Sequence, residues 1–266
     1  QRQMCIRDSV DTYDIDHLER SDISPIRDPG QAWNALTVGA FTQLDQVPRN
    51  PSYRNYAPVA PAGELSPHSR TSLLFGDRPW PIKPEICLEG GNVLTDGKDF
   101  VLRHGLLSLC STGIRNNIDL TSANATSAAT AQAARLAALT MSRYPSYWPE
   151  TVRALLVHEA RWTRPMQERL DTCGKKKGQR ARLLRRYGWG VPTEEAVLTS
   201  SHHAVTMVVQ DEFYPFDEKY TMRELRLHSL PWPRDVLQSL GGADVRLRIT
   251  LSYFIEPSAT RRGWKG

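Results

Sequence analysis

Cysteine is scarce in this sequence, and long apolar runs are missing. Its 266 residues hold 4 cysteines, Cys5, Cys87, Cys110 and Cys173. None stands in a CxxC pair and no histidine cluster accompanies them, so no zinc ligand set is present and no metal is expected. Four scattered cysteines in a chain of this size do not make a disulfide framework. They are expected to be free thiols, which points toward a reducing, cytoplasmic compartment. No stretch approaches the roughly 18 consecutive apolar residues of a membrane span. The closest, the Ala-rich run over 123–139, is interrupted by Asn124, Gln132 and Arg135, and no membrane partner is expected. No internal repeat is visible.

What is present describes a folded protein. Hydrophobic residues make up 40% and charged residues 24%, enough for a packed core. The net charge of +5 is concentrated: residues 171–190 hold Lys175, Lys176, Lys177, Arg180, Arg182, Arg185 and Arg186 against Asp171 alone. That segment carries +6 and the remainder −1. One reading is a phosphate-binding patch; the other is a solvated insertion between a helix and a turn. Without interleaved aromatics or a binding motif the second is preferred, and no nucleic-acid partner is expected. Gln1 to Ser9 has no apolar h-region and is not a signal peptide. It resembles translated sequencing-adapter read-through, so residues 1–9 are set aside as a non-native leader.

Periodicity divides the rest. Asn34 to Thr42 reads as a buried strand, residues 43–70 as a long surface loop, and Ile82 to Leu88, running into Gly90-Gly91, as a second strand. Phe100 to Leu109 reads as a third. A helix over Ser127 to Ser142 has small residues around its whole circumference and is expected to be buried on all sides. The next helix opens on Pro149 and Glu150, with Val152, Leu155, Leu156 and Ala160 on one apolar face. Tyr187 to Pro192 is a tight turn, and a short helix over 193–199 closes the first domain. Beyond it, Val205 to Val209, Leu225 to Leu230 and Val245 to Phe254 read as strands. The last alternates Val245, Leu247, Ile249 and Leu251, expected inward, with Arg246, Arg248 and Thr250, expected outward.

The chemically suggestive segment is Ala125-Thr126-Ser127-Ala128-Ala129-Thr130-Ala131. A serine opening a helix sits where the dipole and free N–H groups favour an oxyanion. Serine is also a preferred helix cap, and from this segment alone the capping role is the better reading. Its setting decides more. The segment resembles the nucleophile motif G-T-S-x-A-x-P of the subtilase family: Thr126, Ser127 and Ala129 match, while Ala125 stands for the Gly and Ala131 for the Pro. Thr37-Val38-Gly39-Ala40 resembles the family's V-G-A strand, and Ser66-Pro67-His68-Ser69 its S-x-x-S turn. Ile82-Lys83-Pro84-Glu85-Ile86 with Gly90-Gly91-Asn92 resembles its K-P-D-V segment. Pro149 to Leu156 resembles the following helix, and Tyr187-Gly188-Trp189-Gly190 the closing G-Y-G turn.

The resemblance implies a subtilisin-like α/β domain over residues 10–199, a three-layer fold around a parallel sheet and lacking its N-terminal portion. A partial, sandwich-like all-β domain would follow over 200–266. It implies a serine endopeptidase acting on peptides or proteins, with Ser127 as nucleophile and no cofactor. The alternative is a catalytically inactive subtilase-like binding or regulatory module. In subtilases the triad order is Asp, His, Ser. No H-G-T motif precedes the V-G-A strand here. His17 lacks that setting, His104-Gly105 falls in the wrong order, and Asp11-Thr12 only mimics a D-[ST]-G start. No Asn occurs in 1–33, so the oxyanion Asn is missing with the triad Asp and His. The chain is therefore expected to be truncated at its N-terminus and, from its unfinished strands, at its C-terminus.

Overall fold

The computed structural model describes residues 16–75, 80–113, 119–174, 176–203, 206–219, 221–229, 233–243 and 247–255. In chain order its elements are α1 (His17–Asp22), β1 (Val38–Phe41), β2 (Ala57–Pro58), β3 (Ile86–Glu89), β4 (Leu94–Thr95), β5 (Phe100–Val101), β6 (Leu109–Thr112) and β7 (Leu120–Ala123). The helices α2 (Ala125–Arg143), α3 (Pro149–Glu159), α4 (Arg164–Cys173), α5 (Lys177–Tyr187), α6 (Glu194–His203) and α7 (Arg234–Ser239) follow.

The centre is the parallel pair β1–β3, with Val38 opposite Ile86 and Phe41 opposite Glu89. Parallel strands are covered on both faces, and these are. Alternate side chains go to opposite layers. Val38, Ala40, Ile86 and Leu88 pack with α2 and α3 through Ala129, Ala133, Leu136, Val152, Leu155 and Leu156. Phe41 and Cys87 point the other way, onto Leu18 of α1, Met166 of α4, and Leu183 and Tyr187 of α5. The result is a three-layer α/β arrangement.

Several elements differ from the sequence reading. The first strand is shorter than Asn34 to Thr42. The second begins only at Ile86, because Pro84 has no amide to donate and Lys83 and Glu85 are committed to a buried ion pair. Phe100 to Leu109 is not one strand: His104 accepts from the Leu106 amide at 3.2 Å and starts a 3-10 turn over Gly105–Leu107 that separates β5 from β6. Residues 43–70 are not wholly loop, since Ala57–Pro58 joins β4 and β5 in a three-stranded antiparallel sheet.

The Ser127 helix is not buried all round. Its buried residues are Ala129, Ala133, Leu136 and Thr140, one stripe at helical spacing, while Ala131, Ala134 and Ala138 face solvent. Small side chains permit close packing on every side but do not supply neighbours on every side. The basic segment is also more than an insertion. Arg186 forms a two-pronged pair with Asp22 at 2.9 and 2.5 Å, and Arg185 donates to backbone carbonyls of Ser72, Trp80 and Pro81. Lys176, Lys177 and Arg180 are exposed.

After α6, no described residue of the expected sandwich strands stands in a ladder. Residues 206–209, 225–229 and 247–254 carry no ladder, the one bridge among the described residues of this region joins Phe216 to Met222, and α7 was not anticipated. Val205, Leu230, Val245 and Arg246 lie outside the described residues. The facing of 247–254 is the reverse of that expected. Leu247, Ile249 and Leu251 are 61%, 79% and 80% exposed, and Arg248 turns inward to the carbonyls of Val157 and Ala160. Those carbonyls end α3, where no intrahelical donor remains for them, and a guanidinium satisfies them as an apolar side chain cannot.

Candidate active site

Strand β3 ends at Glu89, and the chain turns over Gly90-Gly91. Gly91 has φ 79°, and a side chain there would meet the Leu107 carbonyl at 2.7 Å and the Asn124 Cβ at 3.0 Å, so the turn lies directly beneath the residue before α2. Four bonds lock that junction. The Ala125 amide donates to Gly90 O at 2.7 Å. Gln132, two turns into α2, donates from Nε2 to Glu89 O at 2.7 Å. The Glu89 carboxylate accepts from the amides of Gly91 at 2.8 Å and Gln43 at 2.7 Å.

Ser127 projects from this junction. It is exposed, in the first turn of α2, and Asn124 at the cap position makes no side-chain capping bond. Asn124 instead donates from Nδ2 to Leu102 O at 2.8 Å. The first-turn amides of α2 are thus left without a capping side chain, at the positive pole of the helix and beside the C-terminal end of a parallel strand. Such a place can hold an anion or a developing oxyanion. The helix is entered through Ala125 at φ 69°, the only positive φ outside glycine among the described residues.

Among the described residues, none hydrogen-bonds the Ser127 hydroxyl. His17 is on α1, in the opposite layer from α2, and its Nδ1 lies 3.0 Å from its neighbour Asp16. Burial holds His17 below the usual imidazole range. His104 caps its 3-10 turn and packs its ring on Tyr53, with centroids 5.3 Å apart. His68 follows the Ser66 turn, where the Ser66 hydroxyl donates to Gly91 O at 2.6 Å. Burial, and then the nearby Arg103, push His68 down to about 4. Asp11 lies outside the described residues. No group of three or more His, Cys, Asp or Glu suited to a metal ion occurs among the described residues.

The sequence reading missed the roles of Glu89 and Gln132. Glu89 stands between an apolar strand and a Gly-Gly turn, where a carboxylate has amides to accept, and that was the available signal. Gln132 carried none, since its partner lies 43 residues away. The buried base of the domain was missed too. Lys83, 2% exposed, is 2.6 Å from Glu85, which also takes Arg153 at 2.9 Å and the Thr37 amide at 2.7 Å.

No curated protein matches the chain. The strand–turn–helix junction, the two-sided parallel pair and the order of motifs agree with one family, whose model matches residues 14–190. The chain belongs to the subtilase family, the serine peptidases of subtilisin type.

Proposed function

We propose that Ser127 is the nucleophile of a serine endopeptidase that cleaves peptide bonds by acyl transfer. One observation carries the reading: Ser127 stands exposed in the uncapped first turn of α2, at the end of β3. In this mechanism a histidine takes the Ser127 proton as the hydroxyl attacks the scissile carbonyl, and an aspartate orients the histidine. First-turn amides of α2 stabilise the oxyanion, and the histidine returns the proton to the leaving amine. The described residues before Ser127 offer neither a histidine nor an aspartate in the family's setting, and a serine hydroxyl without such a partner is a poor nucleophile. A second reading, a catalytically inactive binding module, is favoured by Ala125 at the family's Gly position.

Fluorophosphonate labelling separates the two. The chain by itself is expected to label slowly or not at all. Joined in frame behind a subtilase segment bearing D-[ST]-G and H-G-T motifs, it is expected to label at Ser127, and Ser127→Ala to abolish the label. Folded fusion protein that stays unlabelled, or is labelled elsewhere, supports the binding module.

A further inference from the structure

The C-terminal end of α3 is gripped from two directions. Arg248 donates from Nη1 to Ala160 O at 2.9 Å and from Nη2 to Val157 O at 3.1 Å. Arg161, on the chain leaving the helix, donates from Nη1 to His158 O at 2.6 Å and Ala160 O at 3.1 Å. His158, in the last turn, has its Nδ1 2.8 Å from the Thr250 hydroxyl. The segment 247–255 continues to Asn34, whose side chain donates to Ile255 O at 2.7 Å and accepts the Ile255 amide at 3.0 Å. Arg153 lies 5.7 Å from the centre of the Phe254 ring. Side-chain contacts at a few points therefore hold this extended segment, and no ladder among the described residues reinforces them.

We propose that His158 is a proton-operated latch for residues 247–255. With the imidazole neutral, the Thr250 bond and the Arg248 grip hold the segment against α3. With it protonated, a third cation stands beside Arg161 and Arg248, and the segment comes away. The Thr250 hydroxyl can still accept from an imidazolium, so charge rather than loss of that bond drives release.

The charged groups facing His158 are Glu159, Arg161 and Arg248. Glu159 favours the proton, but Arg161 draws on it at 3.5 Å. The negative end of α3 also favours a cation. Its carbonyls, however, already have two guanidinium groups on them. Burial first, then Arg248 and Arg161, hold His158 below the ordinary range. The sign follows. The docked segment binds a proton less readily than the released one, so docking is complete above the free-histidine pKa and weakens as pH falls below it. The effect reaches the nucleophile helix, because Val152, Leu155 and Leu156 of α3 pack with Ala133 and Leu136 of α2.

The test is NMR on the isotopically labelled full chain. His158 is expected to titrate below free histidine. Protection of the Ile255 amide, corrected for intrinsic exchange, is expected to fall threefold or more between about pH 7.5 and about pH 5. His158→Gln keeps a neutral polar side chain and should retain protection at the lower pH; His158→Asn serves if that variant folds poorly. Arg248→Gln should lower protection at both. Protection independent of pH in the parent chain overturns the latch, as does an unchanged fall in His158→Gln or a His158 pKa at or above the free value.

Discussion

The Ala125 amide donates to the Gly90 carbonyl across 2.7 Å, tying the first residue of α2 to the end of the central strand pair. The bond is made with Ala125 at φ 69°, a conformation that costs a side-chain-bearing residue roughly 1–2 kcal/mol. The family's motif has glycine here. Ala125→Gly is expected to raise stability by about 1 kcal/mol, and the β-branched Ala125→Val to lower it by more. Denaturant titration of the three chains checks the order, and a destabilised Ala125→Gly would mean the strain is not real.

The buried stripe of α2 makes a positional prediction. Ala133 is 4% exposed and lies against the strand pair, so Ala133→Leu should cost about 1–3 kcal/mol by overpacking. Ala134, one position on, faces solvent, and Ala134→Leu should change stability by less than about 0.5 kcal/mol. Equal effects at the two positions would contradict one-sided burial. Thermal melts resolve the difference.

Beneath β3, Glu85 is paired with both Lys83 and Arg153. Burial nonetheless holds the Lys83 ammonium below its ordinary range. Glu85→Gln leaves that ammonium buried without a counter-charge and should cost about 3–5 kcal/mol. An equilibrium unfolding curve showing a loss under about 1 kcal/mol would mean that water reaches the pair.

Stability should depend on pH through His68. Its folded pKa of about 4 lies below the free value of 6.5, so the unfolded chain binds the proton first. The contribution is present above 6.5 and is lost as pH falls toward 4, to a limit of about 3 kcal/mol. His68→Phe should flatten the profile between those values. A parent chain equally stable at both ends of that window would refute the buried, neutral imidazole.

Thiol chemistry should separate the cysteines. Cys110 is exposed, whereas Cys87 is buried between strand and helices, where desolvation pushes its thiol up to about 12. A thiolate-seeking reagent such as a dithiobis-nitrobenzoate should modify Cys110 in the native chain and reach Cys87 only on unfolding. Mass mapping of the modified sites gives the answer, and native labelling of Cys87 would deny the packing described for it.

Elements with a strong local signal are legible in the residues themselves. Small residues after Ser127 encode a helix, Pro149 with Glu150 encodes the start of the next, and apolar runs before and after the long loop encode a parallel pair. Motif order pointed to the family and to Ser127. Which face of each pattern meets protein depends instead on the elements packed around it. The alternation of Leu247, Arg248, Ile249 and Thr250 names two faces without ranking them, and the open carbonyls at the end of α3 drew the arginine inward. The alanines of α2 could have been covered on any side, and the strand pair covered one. Gln132 and Glu89 acquired their roles across 43 residues of chain, a distance over which local pattern holds no information. Periodicity is a property of a segment, but satisfaction of buried polar groups is a property of its neighbours.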